Sequence, residues 1–130
     1  MSRRRQVAAL VVAAVAVVHV WRPLTRADGP AFRLWASYAS DVLVPVGAWF
    51  VLVLARRLPS ALRSRRARAA VVFGAAAFAE TAQGLGVPLL GRTFDPVDYA
   101  CYAAGTALAV ALEAGLSRLP GLPADDSGAA

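Results

Sequence analysis

Apolar and polar positions fall in four blocks separated by polar punctuation. The run Val7–Val18 is unbroken and continues through His19, Val20 and Trp21. Further apolar blocks cover residues 37–55, 69–87 and 96–116. Each is long enough to cross, as a helix, a hydrocarbon layer about 30 Å thick. The pattern predicts four helices at about 5–21, 37–55, 69–87 and 96–116, with no strand-like alternation. Residues 22–40 form a mixed segment with Pro23, the turn residues Asp28, Gly29 and Pro30, and the interfacial aromatics Trp35 and Tyr38. Pro45 falls near the expected start of the second helix, where its missing N–H costs only a local distortion. Gly84, Gly86 and Pro88 end the third block. Asp95, Pro96 and Asp98 read as N-cap, first helical residue and first-turn acid of the fourth.

The expectation is an all-α, four-transmembrane-helix bundle as a single domain over 1–118, followed by a disordered tail over 119–130. Composition agrees: 58% of residues are hydrophobic and 17% charged, and mean hydropathy is +0.55. All 14 basic residues are arginine. They sit between apolar blocks and not along one helix face, which argues against a nucleic-acid partner. Arg3, Arg4, Arg5, the six arginines of 56–68 and Arg118 lie on one side of the predicted bundle. Arg22, Arg26, Arg33 and Arg92 lie on the other. By the positive-inside rule both termini are cytoplasmic. The basic start and short apolar run also describe a signal peptide, but Ala14, Val15 and Ala16 lie inside the run, so an uncleaved first helix is expected. The single cysteine, Cys101, allows no internal disulfide.

Polar residues inside the blocks fall at one depth. Counted from the flanking arginines at about 1.5 Å per residue, His19, Asp41, Glu80, Gln83 and Tyr102 lie roughly 18–24 Å in. Each helix supplies at least one. A central carboxylate costs about 2.5–3.5 kcal/mol on the insertion scale, which roughly cancels the six strongly apolar residues of the third helix. Glu80 and Gln83 share a helix face and should therefore turn inward. With Arg92, Asp95 and Asp98 of the following loop and helix start, these residues form the candidate pocket: His19, Asp41, Glu80, Gln83, Arg92, Asp95, Asp98 and Tyr102. Structural roles compete at each. Glu80 could be a carboxyl bonded to Gln83 or His19 that glues helices, Asp41 could cap the second helix, and Asp95 and Asp98 could only cap the fourth. Arg92 could touch headgroups. Glu113 is expected to pair with a cytoplasmic arginine, in an otherwise almost purely apolar half.

The order of Asp41, the pair Glu80 and Gln83, the loop arginine Arg92, then Asp98 and Gly105 resembles the VanZ-like family of small bacterial membrane proteins. The matching residues span about 41–105. Two positions differ from that family: Asp41 leads into Val42, Leu43, Val44 and Pro45 where a histidine is usual, and Tyr102 stands where asparagine is common. The tyrosine version is similar to a related group of bacterial membrane proteins known only as a domain of unknown function. The resemblance implies a multi-pass protein of the cell membrane acting in the cell envelope. The leading expectation is an outer-leaflet polar pocket that binds a lipid or cell-wall precursor headgroup. Alternatives are a small intramembrane enzyme on a lipid-linked substrate, using Glu80 with Asp41 or Asp98, or part of a proton or ion pathway. The sequence has no nucleophile–base pair, metal-type histidine pair or phosphate-cradling glycine loop, so no cofactor or metal is expected. The partners expected are membrane lipids, a lipid-linked envelope precursor and a second copy of the chain.

Overall fold

The computed structural model describes residues 3–21, 29–55, 57–87 and 94–118. They form four α-helices: α1 (Arg3–Trp21), α2 (Pro30–Leu54), α3 (Arg65–Gly84) and α4 (Pro96–Ser117), with a 3-10 turn at Ser60–Leu62. No strand occurs among the described residues. Successive helices run antiparallel. One end of the bundle gathers the starts of α1 and α3 with the ends of α2 and α4. The other gathers the end of α1, the start of α4 and the partners of both. We call the first the arginine end and the second the acidic end.

Each helix boundary has a local cause. Gly29 precedes α2 in extended conformation and Pro30 takes the first turn, where a missing N–H leaves no bond unmade. This shifts the start of α2 seven residues ahead of the expected 37: Gly29 and Pro30, read from sequence as part of a turn, are a helix start. Asp41 therefore lies well inside α2 and caps nothing, and Pro45 is a buried mid-helix proline. Ser64 caps α3, its hydroxyl accepting the Ala67 N–H at 3.1 Å. Helix α3 ends in a left-handed turn at Gly86 (φ 84°). There the Gly86 N–H reaches Gln83 O at 2.9 Å and the Val87 N–H reaches Ala82 O at 2.8 Å, the paired bonds of a Schellman stop.

Helix α2 is the hub, packing on α1, α3 and α4, while α3 also packs on α4. The apolar core joins Ala8, Val46, Trp49, Phe50, Val72 and Ala109, contributed by all four helices and displaced toward the arginine end. Trp49 and Phe50 are its largest members. Halfway along, α2 and α4 meet backbone to backbone. A Cβ on Gly105 would collide with the Val42 carbonyl and lie 3.1 Å from the Val42 Cα, so only glycine permits this crossing. Of the described helices, α4 alone is long and apolar enough to cross a membrane; the Tyr38–Leu54 part of α2 is a shorter apolar helix.

Candidate functional site

At the acidic end the geometry is built around the first turn of α4. Asp95 is its N-cap, with Oδ1 accepting the Val97 N–H at 2.9 Å. The Asp95 backbone N–H donates to Glu80 Oε1 at 2.7 Å. In an ordinary capping box that bond is made by the side chain three residues into the same helix. Here that residue is Asp98, whose carboxyl is turned toward Asp41, and Glu80 of α3 supplies the acceptor in its place. The second Glu80 oxygen accepts the Tyr102 hydroxyl at 3.4 Å. Glu80 is 1% exposed. Its carboxyl lies at the N-terminus of α4, against the positive end of that helix dipole.

Asp98 of α4 and Asp41 of α2 lie within electrostatic reach of each other. Glu80 and Asp95 lie within electrostatic reach of Asp98. Four carboxyl groups from α2, α3 and the start of α4 thus converge on one end of the bundle. Tyrosines frame them: the Tyr38 hydroxyl donates to Asp95 Oδ2 at 3.4 Å, and Tyr99 bonds Thr81 at 2.8 Å. Phe94 meets the edge of Tyr99, with ring centres 6.2 Å apart. Among the described residues no group of three or more His, Cys, Asp or Glu side chains could hold a metal ion.

The remaining candidates sit apart from this cluster or outside it. His19 bonds the Val15 carbonyl through Nδ1 at 3.1 Å and the Ser40 hydroxyl through Nε2 at 2.8 Å. The carbonyl can only accept, so Nδ1 carries hydrogen, and in the neutral ring Nε2 accepts from Ser40. Gln83 is half-buried, and its side chain makes no hydrogen bond among the described residues. Glu80 accordingly bonds neither Gln83 nor His19, contrary to the glue arrangement the sequence suggested. Its partners are a backbone amide and a tyrosine. Arg92 and the tail 119–130 lie outside the described residues.

A second polar centre occupies the arginine end, where the sequence reading expected an almost purely apolar half apart from Glu113 paired with an arginine; that pairing is present. Glu113 of α4 is 1% exposed and is ringed by donors. Arg4 of α1 bonds its Oε1. Arg68 Nη2 reaches both carboxylate oxygens at 3.1 Å. The Trp49 indole N–H donates to Oε2 at 3.0 Å, and Arg65 Nε stands 3.8 Å away. The Arg68 guanidinium also lies 5.0 Å from the centre of the Trp49 ring, within cation–π range. Arg68, read from sequence as a boundary residue, is only 4% exposed. A signal for this centre was present. Tyr102, Thr106, Ala109 and Glu113 repeat at helical spacing along the buried face of α4, and Glu113 lies on the six-arginine side of the chain.

Neither a family model, nor a curated protein, nor a solved structure matches this chain.

Proposed function

We propose that the protein is a four-span membrane protein of the VanZ-like kind, with its arginine end and both termini on the cytoplasmic side. Its acidic end would receive the headgroup of an envelope lipid or lipid-linked cell-wall precursor. Helix lengths support the membrane part. The four helices have 19, 25, 20 and 22 residues, or roughly 28–38 Å at 1.5 Å per residue, near the thickness of a bilayer core. Leu10, Val51, Val71, Phe78, Leu108 and Leu112 expose large apolar side chains on all four, as a lipid-facing surface requires. The 14 arginines support the orientation.

The observation that carries the binding part is the convergence of Asp41, Asp95 and Asp98 beside Glu80, whose two oxygens each already accept a hydrogen bond. Glu80 fixes the platform, and Asp41, Asp95 and Asp98 supply acceptor oxygens. Such a surface suits a headgroup rich in donors, an ammonium or sugar hydroxyls. Native mass spectrometry of detergent-purified protein offered phosphatidylethanolamine, phosphatidylcholine or a lipid-linked sugar precursor tests this. Retention of the amine or sugar headgroup, lost in Asp41→Asn, is expected; retention identical in wild type and variant refutes it.

The same convergence favours one second reading, a small intramembrane enzyme in which Asp41 and Asp98 divide the roles of acid and base. Two carboxyl groups held close together are suited to such chemistry. Both oxygens of Glu80 are already engaged, so it positions and does not react. Turnover of a labelled lipid-linked precursor, abolished by Asp98→Asn, would raise this reading above simple binding.

A further inference from the structure

We infer that the arginine end carries a second binding site, for a phosphate group, formed by Arg4, Arg65 and Arg68 around Glu113. It lies at the opposite end of the bundle from the acidic cluster and does not depend on what that cluster binds. Glu113 is the only acid among the described residues at this end, and three guanidinium groups converge on it. Arg65 and Arg68 alone place two positive charges against its one negative. A carboxylate has roughly four lone-pair sites against five N–H donors on each arginine. Arg4, Arg68 and Trp49 already occupy Glu113.

The donors left over are not all turned to solvent. Arg68 is 4% exposed, and its Nε is buried with no hydrogen-bond acceptor among the described residues. A buried guanidinium N–H without an acceptor is costly and asks for one. Access comes from the outer side: the side chain of Arg4 is 24% exposed and that of Arg65 46%. The Ser64-capped N-terminus of α3 opens beside them, adding the positive end of a helix dipole. The Arg65 guanidinium is held in place by Ser117, which accepts from its Nη2 at 3.0 Å. A tetrahedral anion with several acceptor oxygens matches a fan of fixed guanidinium donors better than a carboxylate or halide does. Two sources carry this group: the phosphate of a lipid headgroup and free phosphate.

The test is native mass spectrometry of the full-length protein in a non-ionic detergent, offered dioleoyl phosphatidylglycerol or phosphate-free dioleoylglycerol. Wild type is expected to retain the phospholipid and not the diacylglycerol. Arg65→Gln should weaken retention about tenfold, the loss of one charge-assisted hydrogen bond. Arg66→Gln should leave it unchanged, because Arg66 is an exposed neighbour with no bond to Glu113. Helical circular dichroism and thermal midpoint of both variants should match wild type. Competition by millimolar inorganic phosphate would identify free phosphate as an accepted source; lipid retained against it would identify the headgroup. Equal loss in Arg65→Gln and Arg66→Gln would reduce the site to diffuse attraction by a basic loop and overturn the inference. So would equal retention of the two lipids.

Discussion

Glu80 and Glu113 are equally buried, each 1% exposed, yet the two ends of the molecule hold them by opposite means. Glu80 is satisfied by neutral donors, a backbone amide and a tyrosine hydroxyl, and its neighbours are other acids. Glu113 is satisfied mainly by guanidinium groups, with one indole N–H. The first arrangement gathers negative charge at the acidic end and uses it to seat the start of α4. The second gathers positive charge and ties α1, α2, α3 and α4 together through one carboxylate. Burial alone therefore says little about a carboxylate's role; the charge of what it touches decides it.

The comparison implies that removing a partner should be far more damaging at the arginine end. Arg68→Ala should destabilise the bundle by about 3–5 kcal/mol, because it strips a buried carboxylate of its best-placed counter-charge. The double variant Arg68→Met with Glu113→Leu should recover part of that loss, since it removes the most buried ion pair as a unit and leaves only the more exposed Arg4 and Arg65 without that carboxylate. Denaturant unfolding in mild detergent, followed by tryptophan fluorescence, measures both. A double variant no better than Arg68→Ala would show that Arg4 and Trp49 matter more than the ion pair.

Smaller effects are expected at the acidic end. Asp95→Ala removes the side-chain cap of α4 while leaving the bond from its backbone amide to Glu80, and should lower stability by about 1 kcal/mol. Hydrogen exchange should locate the loss in the first turn of α4. Smaller still is Tyr102→Phe, which deletes a 3.4 Å hydrogen bond to Glu80, with a loss of about 0.5–1 kcal/mol by thermal melting. A loss several times larger would mean that Glu80 depends on the hydroxyl more than on the Asp95 amide.

How much of this was legible in the sequence depends on the kind of contact. The four helices follow from apolar blocks and their stop signals, and the inward-facing Glu80 follows from its place in an otherwise apolar stretch, where a carboxylate needs partners. The start of α2 was misplaced because glycine followed by proline serves equally as a turn and as a helix entrance, and only the chain beyond decides. The partner of Glu80 was illegible for a different reason. It is a backbone N–H, which every residue but proline carries, so no residue type announces it. Arg68 was misread because a long side chain at a helix start can reach outward or fold back into the bundle. Its direction is set by Glu113, 45 residues away in sequence.

The most direct test of the contrast between the two ends is a matched pair of isosteric substitutions, Glu80→Gln and Glu113→Gln, unfolded side by side. Glutamine keeps an oxygen for the Asp95 amide, so Glu80→Gln should cost about 1 kcal/mol. Glu113→Gln removes the only described negative charge from among three guanidinium groups and should cost about 3 kcal/mol or more. Equal losses, or a larger loss at Glu80, would contradict the account.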